Sequence, residues 1–171
     1  HILVIIDIFS KFVYLFPCVT KTMNEVAQIL QKVFLSGDIP ERLGADNAFD
    51  NIAVTNICKM YGVELRIGLP HSPQTQGFVE NKNKQIKNLL AYHFKQTNTF
   101  SYYDILDHLA FTINNTKHSI IKTTPFAIHR GRSINVTPHY DQSNQKYKDE
   151  VFKEDNIDKL TPVSYTHLTL P

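Results

Sequence analysis

Apolar residues recur along this chain with two periods, and each change of period marks an element. ILVIIDIFSKFVYLFPCV is β-branched and aromatic, and predicts two strands joined by a tight turn near Phe9 to Lys11, a hairpin. NEVAQILQKVFL places Val26, Ile29, Leu30, Val33 and Phe34 at helical spacing, which predicts an amphipathic helix covering a sheet. Pro40 ends it. ERLGAD reads as a short strand closing on an acid, NIAVTNICKMYG as a helix stopped by Gly62, and VELRIGL as another strand. HSPQTQG then reads as a polar loop hinged at Gly77, followed by a helix from roughly Val79 to Lys95. SYYD predicts a further helix start, with Ser101 as cap and Ile105, Leu106, Leu109 and Ile113 as its core stripe. TPFAIHRGR predicts a short helix with Thr124 as cap, Pro125 in the first turn and Gly131 at the end. Strands alternating with helices predict an α/β three-layer domain with a mixed central sheet flanked by helices.

Beyond Arg132 the apolar positions thin out, and 133–162 reads as a polar linker or tail. VSYTHLTLP, Val163 to Pro171, differs in character again and reads as a non-native string, either read-through or adapter-derived. The chain opens at His1 in mid-strand without an initiator methionine, so it reads as a fragment with any targeting segment upstream.

A length of 171 residues suffices for one domain with a hydrophobic core. With 42% apolar and 20% charged residues, the composition is that of a globular chain and excludes a disordered one. The longest apolar run, Ile2 to Ile6, is far too short to span a bilayer, so no membrane partner is expected. Cys18 and Cys58 form no CxxC pair and have no histidines at ligand spacing; they are expected as buried small hydrophobes, with no zinc in this chain. A net charge of +2 decides nothing, but its distribution does. Between His71 and Phe100, Lys82, Lys84, Lys87 and Lys95 face only Glu80; between Thr112 and Arg132, Lys117, Lys122, Arg130 and Arg132 face no acid. The middle of the chain is therefore the part suited to a polyanion.

Two acids stand where elements meet. Asp46 closes the strand ERLGAD, and Glu80 lies in the early part of the long helix. Mg²⁺ takes few carboxylates and completes its shell with water and phosphate. Two such ions, ~3.5–4 Å apart, can clamp the attacking and leaving oxygens of a phosphoryl displacement. Glu80, Asn83, Lys84 and Lys87 fall at i, i+3, i+4 and i+7, one helix face, so carboxylate and amines look the same way. Each acid alone has a blander reading. A first-turn glutamate gains ~0.3–1 kcal/mol from the helix dipole without any function, a Glu–Lys pair at i,i+4 such as Glu80 and Lys84 is an ordinary solvated stabiliser, and an aspartate after a strand is commonly a turn or capping residue.

Taken together and in order, LGADNAF, HSPQTQGFVENKNKQIK and NNTKHSIIKTTPFAIHRGR resemble the catalytic core of retroviral and LTR-retrotransposon integrases, the Ty3/Gypsy-like elements most of all. The likeness runs from about Ile2 to Arg132, and the hairpin matches the family's second and third strands. It implies an RNase H-like fold, N-terminally truncated, with 1–132 a catalytic core lacking its first strand. It also implies a DDE-type acid triad holding Mg²⁺ or Mn²⁺, in which Asp46 and Glu80 match the second and third acids. Asn47 matches the asparagine beside the second acid; Gln76, Asn83, Lys84 and Lys87 match positions that touch viral DNA ends; and His71 lies in the flexible active-site loop.

The activity implied is metal-dependent 3′-end processing and strand transfer into target DNA, that of an endonuclease and polynucleotidyl transferase. It would act as a homo-oligomer on element ends and target DNA, in the nucleus. Two departures bear on it. DNAF is shorter by two residues than the family's usual motif, which accounts for the shorter spacing between Asp46 and Glu80 and removes a glycine. The first aspartate of the triad belongs to the strand preceding ILVIID, so Asp7 is read as a structural residue of the hairpin turn and the fragment as inactive by itself. The alternative is a catalytically inactive or host-adopted DNA-binding module.

Overall fold

The computed structural model describes residues 1–68, 73–97, 103, 105–133 and 165–169, with 73–76, 96–97 and 165–169 given by backbone alone. Its order is β1 (Ile2–Asp7), β2 (Val13–Pro17), α1 (Met23–Leu35), β3 (Arg42–Ala45), a 3-10 turn (Asn47–Phe49), α2 (Ile52–Met60), β4 (Glu64–Ile67), α3 (Pro73–Thr97), α4 (Leu106–Asn115), α5 (Pro125–Arg130) and β5 (Tyr165–Thr169). The strands form one mixed sheet, β2-β1-β5-β3-β4. β1 is antiparallel to β2 and β5, and β3 is parallel to β4 and β5.

The layers follow from alternation along β1, whose six residues are all buried because both sheet faces are covered. Leu3 and Ile5 join a core with α1 and α2, through Val26, Leu30, Phe34 and Val54. Ile2, Val4 and Ile6 point the other way, into a second core with Phe78, Val79 and Ile86 of α3 and Leu106 and Leu109 of α4. The buried face of α1 is the predicted one, Val26, Ile29, Leu30, Val33 and Phe34. α1 ends in a Schellman turn: Gly37, with φ +96°, donates to Phe34 O at 3.0 Å and Asp38 to Val33 O at 3.4 Å. Thr124 caps α5 by accepting from Ala127 N, with Pro125 next and Gly131 left-handed at the end, as its sequence predicts. Both cysteines are free and buried.

Asn114 closes one edge. It is 4% exposed, and its amide pairs with the Val13 backbone in both directions, 2.8 Å each way, as a strand residue would.

Three expectations change. α3 begins at Pro73, so Pro73 to Gly77 is helix rather than loop, and Gly77 is an exposed helical residue rather than a hinge. Proline suits a first turn because it has no N–H to satisfy there. A helical glycine costs about 1 kcal/mol, which burial of Phe78 and Val79 just beyond it offsets. α4 begins at Leu106 with Ile105 in the cap position, and the predicted cap Ser101 lies outside the described residues. Finally, Tyr165 to Thr169 forms a strand between β1 and β3. Its alternating β-prone residues supply ladder partners to two strands that otherwise end in bare edges.

Candidate active site

β3 runs buried through Leu43, Gly44 and Ala45 and emerges at Asp46, Asn47 and Ala48, all exposed. Phe49, 1% exposed, anchors the turn in the core, and its N–H donates to Asp46 O at 2.9 Å. Asp46 occupies the N-cap of this 3-10 turn, yet its carboxylate makes no capping bond. The capping explanation for Asp46 therefore fails, and the side chain is presented outward. The shortened DNAF motif survives as this single turn.

Beside it, Gly68 has φ +60° and donates to Ala45 O at 3.0 Å. A Cβ there would stand 2.0 Å from Asn47 Oδ1, so Asn47 rests where only glycine leaves room.

Glu80 is exposed on α3. Because the helix starts at Pro73, Glu80 lies beyond the first turn, where the dipole no longer accounts for a carboxylate. Lys84 and Lys87 are exposed with it and Asn83 is half-buried, while Phe78, Val79, Ile86 and Leu90 take the core side. The predicted face is real.

Lys82 leaves it. At 8% exposure it sits inside, bonded to Gln85 Oε1 at 3.1 Å, with its ammonium 5.7 Å from the centre of the Phe78 ring. Lys11, at 2% exposure and φ +65°, places its own ammonium 4.3 Å from that ring centre, without a hydrogen-bond partner among the described residues. Burial, opposed by the charge of Asp7, pulls Lys11 down to about 8. Burial, then Lys82 and Lys11, lowers His118 to about 4. This inward cation cluster was not foreseen, since nothing in the spacing of Lys11 distinguishes it from a solvated turn lysine.

Gln76 is in α3 by its backbone, with its side chain outside the description, and His71 lies outside the described residues. Asp7 stands apart from Asp46. It pairs with Thr166, which pairs with Leu43, three residues before Asp46, or about 10 Å along the strand direction. Its carboxylate accepts from Phe9 N at 3.1 Å, Ser10 N at 3.3 Å and Ser10 Oγ at 2.5 Å, which ties it into the hairpin turn. Among the described residues no three of His, Cys, Asp and Glu are grouped to hold a metal ion. Asp46 and Glu80, the two carboxylates expected from the sequence as donors, are both exposed. β5 passes directly alongside: Leu168 pairs with Ala45 and with Ile5, so Thr169 is one step on, level with Asp46.

Known proteins resemble this chain in sequence and in fold. The Pro-Pol polyprotein of Simian foamy virus type 1 is 30% identical over 138 residues, covering 80% of this chain and 12% of that protein. The Pol polyprotein of Radiation murine leukemia virus (strain Kaplan) is 26% identical over 168 residues, 95% of this chain and 28% of that protein. The Transposon Tf2-3 polyprotein of Schizosaccharomyces pombe is 30% identical over 139 residues, 79% of this chain and 10% of that protein. This chain thus spans only a small part of these relatives. No family model matches.

Two solved structures share the fold. The catalytic core domain of BIV integrase superimposes with a TM-score of 0.65 at 24% identity, over 85% of this chain and 89% of that one. A chain of the simian T-cell lymphotropic virus intasome in complex with PP2A regulatory subunit B56 gamma gives 0.66 at 22%, over 82% and 52%. The chain is a homologue of a region of retroviral and LTR-retrotransposon Pol polyproteins, and it has the RNase H-like fold of integrase catalytic cores.

Proposed function

We propose that the chain is the core of a polynucleotidyl transferase that processes the 3′ ends of a mobile element's DNA and joins them to target DNA. One observation carries this: Glu80 shares an exposed helix face with Lys84 and Lys87, and neither acid of the pair is explained by capping or the helix dipole. Asp46 and Glu80 would hold Mg²⁺ or Mn²⁺, which when bound polarises the phosphate and acidifies the attacking oxygen. Lys84 and Lys87 hold the DNA backbone, and Asn47, His71, Gln76 and Asn83 position the end. The attacking oxygen, from water and then from the freed 3′-hydroxyl, gives up its proton and bonds to phosphorus as the bond to the leaving oxygen breaks.

Acting on paired ends calls for a homo-oligomer, and a chromosomal target places the protein in the nucleus. A second reading, a catalytically inactive or host-adopted DNA-binding module, is favoured by the pair of acids standing without a grouped third among the described residues.

Binding and chemistry separate in the test. By fluorescence anisotropy on duplex DNA, affinity falls steeply with salt, and Lys84→Ala and Lys87→Ala each reduce the log–log slope by about 1. A slope unmoved by either variant overturns the assigned DNA face. In a longer chain of this element that carries a third acid, Glu80→Gln abolishes strand transfer and keeps DNA binding within about twofold; persistent joining would leave Glu80 a surface residue. The 171-residue chain alone is expected to bind DNA without joining it.

A further inference from the structure

The loop between α4 and α5 is closed on itself and anchored by His118. The His118 N–H donates to Thr123 O at 2.9 Å, and its Nδ1 accepts from Ile120 N at 3.3 Å. The half-buried His118 ring stands 6.4 Å, centre to centre, from Phe78 of α3, two residues before Glu80. Lys117 lies just before the closed segment and Lys122 just inside its far end, both exposed. Lys122 is held at φ +56°, a left-handed conformation uncommon outside glycine.

Exposed lysines are ordinarily solvated, and three observations set these two apart. The first is that the four cations between Thr112 and Arg132 are not equivalent in the fold. Arg130 is bound to Asp38 through two bonds of 2.9 Å, and Arg132 lies 5.7 Å from the Phe126 ring centre. None of the ion pairs among the described residues involves Lys117 or Lys122, and no acid lies between Thr112 and Arg132. The second is the charge behind the loop: burial, then Lys82 and Lys11, holds His118 at about 4, so the anchoring imidazole is neutral and its surroundings are positive. The third is rigidity, since a loop closed by its own bonds presents both ammonium groups without an ordering cost on binding. We propose that this loop is a second DNA-backbone contact, in which Lys117 and Lys122 hold phosphates of a duplex beside the face of Lys84 and Lys87. It rests on the reading of the chain as one that acts on DNA. A duplex is favoured over an acidic protein surface because His118 seats the loop on the helix whose exposed face carries the other two lysines.

The test is fluorescence anisotropy of the full chain with a labelled random-sequence duplex over a salt series. Lys117→Gln with Lys122→Gln is expected to lower the log–log slope by about 2 and to weaken binding at least about tenfold at low salt. Each single variant lowers the slope by about 1, while Lys59→Gln, exposed on α2 across the sheet, leaves it unchanged. Both loop positions are exposed, so the thermal melt of the double variant stays within a few degrees of the parent. Should it move further, Lys117→Gln alone, clear of the left-handed position, reads the same loop. A slope that the loop variants leave unmoved, or that Lys59→Gln lowers as much, overturns the proposal whatever Lys84 and Lys87 do. A slope that falls with the loop variants but not with Lys84→Ala or Lys87→Ala upholds the loop and removes the α3 face. Poly-glutamate displacing the parent chain as readily as unlabelled duplex, at equal charge, overturns the proposal in favour of an acidic protein partner.

Discussion

Among the described residues Lys11 has no acceptor for its buried charge, and this costs the fold in a pH-dependent way. Below about 8 the ammonium is charged in both folded and unfolded chains, and the burial cost is carried in full. Between about 8 and the ordinary lysine value of 10.5 the folded chain releases its proton first, so stability rises with pH across that window. The gap corresponds to roughly 3 kcal/mol, and the Phe78 ring returns about 0.5–2 kcal/mol of it. Lys11→Met is therefore expected to raise stability at neutral pH by about 1–2 kcal/mol and to flatten the rise above pH 8, both read from urea unfolding. A less stable variant at neutral pH would mean that the ammonium is held by something stronger than the ring. At this scale the sequence was half legible. It read Glu80, Lys84 and Lys87 onto one exposed helix face, because helical spacing is a local property. It grouped Lys82 with the exposed amines, because inward direction depends on where Phe78 and the hairpin turn meet.

Among the elements, α1, α5 and the hairpin were legible because their periodicity, caps and turn residues all lie within a few positions of one another. The start of α3 was misread, since Pro73 and Gly77 suggest punctuation when seen without the core that Phe78 and Val79 enter. The junction of β3 and β4 depends on a contact that sequence does not reveal, Asn47 against Gly68. Gly68→Ala is expected to cost about 1–3 kcal/mol, since φ +60° and the Asn47 side chain both oppose a Cβ. It should also shift the Asn47 and Asp46 amide resonances in NMR spectra. Unmoved resonances with full stability would show that Asn47 rotates away without consequence for the acid turn.

For the whole molecule, the three layers were legible from the order of strands and helices, and the order of strands within the sheet was not. Ladder partners are long-range choices, and β5 lies far along the chain from both its neighbours. Its register makes a specific prediction: Thr169→Asp sets a third acid on the strand that runs level with Asp46. Mn²⁺ binding, followed by calorimetry, is expected to tighten about tenfold over the parent, since an added carboxylate raises the affinity of a hard-cation site. Unchanged Mn²⁺ affinity would place the acid away from Asp46.

β5 also joins the sheet in a way that bears on time. The β1-β2 and β3-β4 pairs are joined in the sheet through β5, and although a lone two-stranded ribbon is marginal in water, here both pairs pack on helices. With that support the two halves of the sheet can form early and locally, while the seam between them waits for the most distant segment to arrive. Closure of so long a loop is the slow kind of contact. Refolding is expected to show an early phase in which each half is protected from hydrogen exchange, and a later one in which the amides flanking β5 become protected together.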